Sequence, residues 1–223
     1  VTVVTAIRFG LLDEWTVSSL FSALASRFGG DTASLDEDAV LRLVSAARAG
    51  DRAAGQRLYR LHVDRVFRTV RGILRSDADA EEVTQDAMLT VLTRLDRYAP
   101  RTGTRFVAWV TTVALNTARR RFRRRRPEPT DPAELTRIAD DTTDTERDVD
   151  GERQREALLR ALAELDERER AIVSLRYGSE LDAGEIARAL GLEPANVRKI
   201  LERTRVRLGA RIEALLQPNG GMT

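Results

Sequence analysis

The stretch Asp182-Ala183-Gly184-Glu185-Ile186-Ala187-Arg188-Ala189-Leu190-Gly191-Leu192-Glu193-Pro194-Ala195-Asn196-Val197 decides the fold of the chain's second half. Asp182 with Glu185 three residues later is a capping box that opens a helix. Gly191 permits a tight turn, and Pro194 suits the first position of the next helix. Ile186, Leu190, Leu192 and Val197 would close a core between the two helices, and the small Ala187 lets them approach. This is the helix-turn-helix form. The helix after the turn carries Asn196, Arg198, Lys199 and Arg203 near its N-terminal half. That is where a recognition helix meets base edges and phosphates.

Working outward, Leu158, Leu159, Leu162 and Leu165 pattern a preceding helix. Asp166 with Glu169 repeats the capping box and starts another, through Ile172, Val173 and Leu175 to Tyr177. The last helix buries Val197, Ile200, Leu201, Thr204, Leu208, Ile212 and Leu215. Residues 153–216 therefore read as one helical unit, followed by a tail at 217–223. Between residues 127 and 152 the composition changes. Pro127 and Pro129 stop a helix, and ten acidic residues face only Arg137 and Arg147, a net charge of −8. Such a segment repels itself and is expected to form an extended acidic linker.

Residues 35–126 form a second helical pattern. Val40, Leu41, Leu43 and Val44 mark a first helix ending near Gly50; Leu58, Leu61, Val66, Val70 and Leu74 mark a second. A third runs from Asp79 to Leu95, and a connector with Pro100 and Gly103 leads to a fourth that starts near Arg105. The fourth helix bears Phe106, Trp109, Val110 and Val113, then runs into Arg119-Arg120-Arg121-Phe122-Arg123-Arg124-Arg125-Arg126. Basic and aromatic groups on one rigid element suit a surface that holds phosphates and stacks opened bases. Residues 1–34 read as a partly ordered N-terminal extension, with Leu12, Trp15, Leu20, Phe21, Leu24 and Phe28 able to form one amphipathic helix before Gly29-Gly30.

The composition agrees with an all-α fold of two small helical domains joined by that linker. The chain has 42% hydrophobic and 32% charged residues but only 5% aromatics, a mixture of helix formers with few β-branched runs. With no cysteine there is no disulfide framework and no thiolate metal site. The single histidine, His62, lies among Tyr59, Leu61, Val63 and Val66 and reads as a packing or surface residue. Neither a metal nor another cofactor is expected. No stretch approaches the roughly 20 apolar residues of a membrane span, and no secretory signal pattern opens the sequence. Membrane insertion is not expected, and the cytoplasm is the expected location.

A family resemblance rests on several of these motifs in order. Gly50-Asp51-Arg52-Ala53-Ala54, Leu58-Tyr59, Asp79-Ala80-Glu81-Glu82-Val83-Thr84-Gln85-Asp86, Phe106-Val107-Ala108-Trp109 and Asn116 resemble region two of extracytoplasmic-function (group IV) sigma factors of the sigma-70 family. Residues 157–208 resemble their region four. The resemblance implies an alternative sigma factor, not an enzyme, that binds core RNA polymerase through its beta-prime and beta subunits. It also implies promoter DNA as a partner and an anti-sigma factor as a further candidate. It assigns polymerase binding to Asp79, Glu82, Gln85 and Asp86, which fall on one side of the third helix. It assigns the minus-ten element and its melting to Arg105, Phe106, Trp109, Asn116, Arg119, Arg120 and Arg123. The minus-thirty-five element falls to Asn196, Arg198, Lys199 and Arg203. Three departures bear on the DNA preference: Arg120 stands where many relatives are acidic, Glu193-Pro194-Ala195-Asn196 replaces the usual opening of the recognition helix, and Ile200 occupies a commonly basic position.

The competing readings are a helix-turn-helix repressor or activator that uses residues 36–126 as a sensor or dimerisation domain, and a nucleic-acid enzyme such as a nuclease. An enzyme is disfavoured by the lack of a phosphate-binding Gly-rich Lys motif, a His/Cys metal cluster or a nucleophile-base pair.

Overall fold

A computed structural model describes residues 36–74, 76–100, 104–124 and 149–217. These residues form α-helices and one 3-10 turn, as an all-α fold requires. The N-terminal extension with its amphipathic segment, most of the acidic linker, and the tail from residue 218 lie outside the described residues.

The first bundle has four helices. α1 spans Glu37–Arg48, with Asp36 as its cap, and α2 spans Arg52–Ile73, with the Asp51 carboxylate accepting from the Ala53 and Ala54 amides. Gly50 at φ 95° reverses the chain between them, a conformation glycine adopts without Cβ strain. α3 runs Asp77–Thr93, two residues ahead of the sequence expectation, because Ser76 caps it by accepting from the Asp79 amide at 3.2 Å. The chain leaves α geometry at Arg94 for the 3-10 turn Leu95–Arg97. Arg48 holds that turn by donating to the carbonyls of Leu95 and Tyr98. α4 covers Phe106–Arg124. Val44, Leu58, Val66, Phe67, Val83, Met88, Val91, Phe106 and Val110 are buried in one common core.

The second bundle comprises α5 (Val149–Ala163), α6 (Glu167–Gly178), α7 (Ala183–Leu190) and α8 (Pro194–Leu216). α5 begins inside the stretch read as linker. Its first turn takes up Glu152, whose carboxylate pairs with Arg155 at 3.3 Å. Leu158, Leu162, Leu165, Val173, Tyr177, Leu208 and Ile212 form its core. The capping box at Asp182 and Glu185 is complete in both directions, and Gly191 ends α7 at φ 68°, ψ 42°. At Asp166 only half of the expected box forms. Its carboxylate accepts from the Glu169 amide at 2.8 Å, but the Glu169 carboxylate turns instead to Arg203 and Arg207 of α8.

The two bundles, read from the sequence as separate units, pack together. A third cluster combines Val107, Ala108 and Leu115 of α4 with Ile172, Leu175, Leu181, Ile186, Ala187 and Val197 of the helix-turn-helix half. α6 lies along α2 in the most extensive helix pairing of the described residues. Arg155 of α5 adds an ion pair at 3.1 Å to Asp77, which Arg71 also holds.

Candidate nucleic-acid interface

The exposed side of α4 borders a hollow of about 320 Å³ lined by Thr90, Arg94, Arg97, Trp109, Asn116 and Arg120, among others. That volume sits at the small end of ligand pockets and suits one planar group rather than a duplex. Trp109 is half-buried, its ring 5.5 Å from Phe106 and 5.4 Å from Tyr98, so one aromatic layer backs the hollow. Asn116, Arg119 and Arg120 are exposed. Arg94 and Arg97 were missed in the sequence. Their signal was two arginines flanking the end of α3 just before Pro100, but only the fold brings them opposite Asn116.

Phe106 requires a correction. It is fully buried, edge-on to Tyr98 at 4.9 Å and to His62 at 5.2 Å, so its ring is a core element with no face for a base. The reason is geometric: the helix starts at Phe106, and its first turn points into the bundle while Trp109 turns outward. His62 is itself buried, with both ring nitrogens unpaired, and desolvation, reinforced by Arg65, pushes its pKa down to about 3. The Arg123 side chain lies outside the described residues. Arg105 is paired with Glu185.

On α3, Gln85 and Asp86 are exposed and Leu89, one turn on, is 64% exposed. Together they make an apolar contact point in an acidic setting. Asp79 and Glu82 are not simply solvated. Arg121 of α4 bridges both, 3.2 Å from the Asp79 carboxylate, and its pKa is raised first by the hydrogen bond to Glu82.

On α8, Asn196, Arg198 and Lys199 are exposed in the first two turns, above buried Val197. Arg203 is 70% exposed yet tied at 3.2 Å to Glu169, a carboxylate only 5% exposed that also accepts from Arg207. Local spacing reads Glu169 as the far half of a capping box; its partners are 34 and 38 positions away.

Arg105 lies in the seam between the bundles. Its Nε donates to Glu185 Oε1 at 2.9 Å, and one terminal nitrogen donates to Glu185 Oε2 at 2.6 Å and to the Glu180 carbonyl at 2.8 Å. The Glu180 carboxylate meets Arg65 at 3.2 Å. Beneath them Ser179 Oγ lies 2.6 Å from Thr69 Oγ1 and 2.9 Å from Thr111 Oγ1, all buried. Among the described residues no cluster of His, Cys, Asp and Glu could hold a metal, and no helix is long and apolar enough to cross a membrane.

A family model for Sigma-70 region 2 matches residues 58–128, and one for Sigma-70, region 4 matches residues 155–208. The chain is 30% identical over 167 residues to the ECF RNA polymerase sigma factor SigM of Mycobacterium tuberculosis, covering 74% of this chain and 81% of that protein. It is 29% identical to the ECF RNA polymerase sigma factor BldN of Streptomyces coelicolor, covering 79% and 67%. It is 32% identical to the RNA polymerase sigma factor CarQ of Myxococcus xanthus, covering 68% and 84%. Among solved structures, CnrH in complex with the cytosolic domain of CnrY shares the fold, with a TM-score of 0.55 and 24% identity over 80% of this chain and 99% of that one.

Proposed function

Because this chain belongs to the extracytoplasmic-function sigma factors of the sigma-70 family, and is thus an alternative sigma factor directing transcription initiation, we propose which surface carries each step. The family is one of non-enzymatic transcription regulators, and the chain's own work is binding. Its group IV placement, cytoplasmic location, and control by an anti-sigma factor belong to the same proposal.

The α3 side bearing Gln85, Asp86 and Leu89 docks on the beta-prime subunit of core polymerase. Leu89 supplies the apolar anchor and Asp86 the charge; Asp79 and Glu82 contribute through, or in exchange with, Arg121. The helix-turn-helix presents Asn196, Arg198 and Lys199 to the minus-thirty-five element, with Arg203 behind them. The beta subunit is the expected contact of this half. The hollow at Trp109 receives an opened base of the minus-ten strand. Unstacking a base costs a few kcal/mol, which stacking on Trp109 and contacts to Asn116 and the surrounding arginines offset. Phe106 supports Trp109 from beneath instead of meeting DNA.

The observation that carries this reading is the hollow itself: half-buried Trp109, Asn116 and Arg120 of α4 meet Arg94 and Arg97, from the cap and 3-10 turn that follow α3, around a space of about 320 Å³. Permanganate footprinting with core polymerase tests it. Trp109→Ala and Asn116→Ala should lose strand opening on duplex promoter and regain part of it on a template already unpaired at the minus-ten element. A defect equal on both templates would remove melting from this hollow. Asp86→Arg combined with Leu89→Ala should weaken core binding in a folded chain.

A further inference from the structure

We infer that Glu37 and Arg48, at the two ends of α1, are positioning residues for reading the opened minus-ten strand: together they fix both walls of the hollow at Trp109 without lining it. This role rests on the proposed seating of an opened base in that hollow.

The two walls are supplied by different segments. α4 brings Trp109, Asn116 and Arg120, while the end of α3 and the 3-10 turn bring Arg94 and Arg97. The backbone bonds of the turn, from the Arg97 amide to the Arg94 carbonyl and from the Tyr98 amide to the Leu95 carbonyl, close it on itself and do not tie it to α4. α1 touches both walls. At its C-terminal end Arg48 donates from Nε and a terminal nitrogen to the Leu95 carbonyl, at 2.9 and 2.6 Å, and also to the Tyr98 carbonyl. These carbonyls bracket Arg97. A planar guanidinium can span them with fixed donors, which the point charge of an ammonium does not.

At the other end of α1, Glu37 Oε1 accepts from the Phe106 amide at 2.6 Å and lies 3.5 Å from the Tyr98 hydroxyl. Phe106 opens α4, so its amide is among those a helix leaves without an intrahelical acceptor. The preceding side chain, Arg105, has donors only and is engaged with Glu185. α4 therefore takes its capping carboxylate from 69 positions away, where the helix dipole also favours a negative charge. Trp109 lies one turn along from that cap. Tyr98 joins the two halves of the clamp: Arg48 holds its carbonyl, Glu37 faces its hydroxyl, and its ring packs 4.9 Å from Phe106 and 5.4 Å from Trp109. Burial, reinforced by Glu37, pushes that hydroxyl up to about 12, so it stays a neutral donor. A recognition site works only while its supports hold it within about 0.5 Å of the productive geometry. α1 supplies those supports, although it precedes residue 58, where the match to region 2 begins.

Base discrimination separates positioning from general support. Holoenzyme binding is measured on templates already unpaired at the minus-ten element, with each base placed in turn at every unpaired position. Arg48→Lys keeps the charge and the stem but not the fork, and Glu37→Ala removes the cap. Each should retain core binding and the parent's unfolding midpoint, yet shrink the preference for the favoured base by about fivefold, the scale of one lost charge-assisted hydrogen bond. Glu37→Gln keeps an acceptor for the Phe106 amide and should restore most of that preference. A merely structural role would weaken binding to all templates alike and leave the ratio between bases unchanged. Trp109→Ala tests the hollow itself and should abolish the preference. If Trp109→Ala abolishes it while Arg48→Lys and Glu37→Ala keep the parent's ratio, the hollow stands and the positioning role is overturned. If Trp109→Ala keeps the parent's ratio, the hollow reading falls and takes this role with it. A loss of core binding as large as the loss of discrimination, in protein that unfolds at the parent's midpoint, would also overturn it.

Discussion

α4 and α8 are both long, arginine-rich helices proposed to read DNA, yet they are built into the molecule in opposite ways. α8 buries one side, through Val197, Thr204, Leu208 and Ile212, and leaves Asn196, Arg198 and Lys199 exposed. α4 is engaged on three sides: Phe106 and Val110 in the first core, Val107 and Leu115 in the seam, and Arg121 across the acidic face of α3. Sequence recognition on α8 is therefore separable from folding. On α4 the residues proposed to meet DNA share a helix with those that hold the bundle, the seam and the acidic side of α3 together.

Four measurements test or sharpen that contrast, from the largest expected effect downward. Phe106→Ala should destabilise the chain by about 3–5 kcal/mol, the cost of truncating a large core aromatic, seen as a lower denaturant midpoint. A loss under 1 kcal/mol would mean that α4 is as separable as α8. Acidification comes second. His62 titrates at about 3 in the folded chain and near 6.5 when unfolded, so below pH 6.5 the unfolded state binds the extra proton. The stability due to the neutral ring is complete above pH 6.5 and falls by up to about 1.4 kcal/mol per pH unit on the way down, or about 2 kcal/mol between pH 6.5 and 5. His62 is the only histidine, so His62→Leu should flatten that slope, and an unchanged slope would remove His62 as its source.

On the α8 side, Arg198→Ala should weaken recognition of the upstream element by about 1–3 kcal/mol if it makes a bidentate base contact. Its unfolding midpoint should stay within the small range usual for surface substitutions. Promoter binding with intact and scrambled upstream elements measures the first, and thermal unfolding the second. The smallest effect is expected at Glu169→Gln, which keeps the shape but removes the buried charge holding Arg203 and Arg207. Stability should fall by about 1 kcal/mol, and the salt dependence of promoter binding should steepen by about one unit in log–log slope for each arginine that turns to phosphate. A slope identical to that of the parent chain would confine Glu169 to a structural role.

Much of this was legible in the sequence because local chemistry decides it. Helical periodicity, the Asp182–Glu185 box, the left-handed turn at Gly191 and the first-turn Pro194 act within a few residues, and the structure follows them closely. The exposed residues of α8 were readable for the same reason, since they lie opposite an apolar stripe. Where contacts span the chain the local patterns ran out. Glu169 reads as a cap until Arg203 and Arg207 arrive from α8, and Phe106 reads as a base platform until the bundle closes over it.

Helical periodicity, the Asp182–Glu185 cap and the turn at Gly191 were settled within a few residues of sequence, because backbone hydrogen bonding and apolar periodicity are satisfied by neighbours in the chain. Only the tertiary structure decided that the bundles meet. The residues that join them, Thr69, Thr111, Ser179, Gly178 and the Arg105–Glu185 pair, are polar or small, and in a linear pattern they look like solvated surface. They become an interface only when each finds a partner 68 to 110 positions away, because a buried hydroxyl or charge is tolerated where its hydrogen bonds are met and nowhere else.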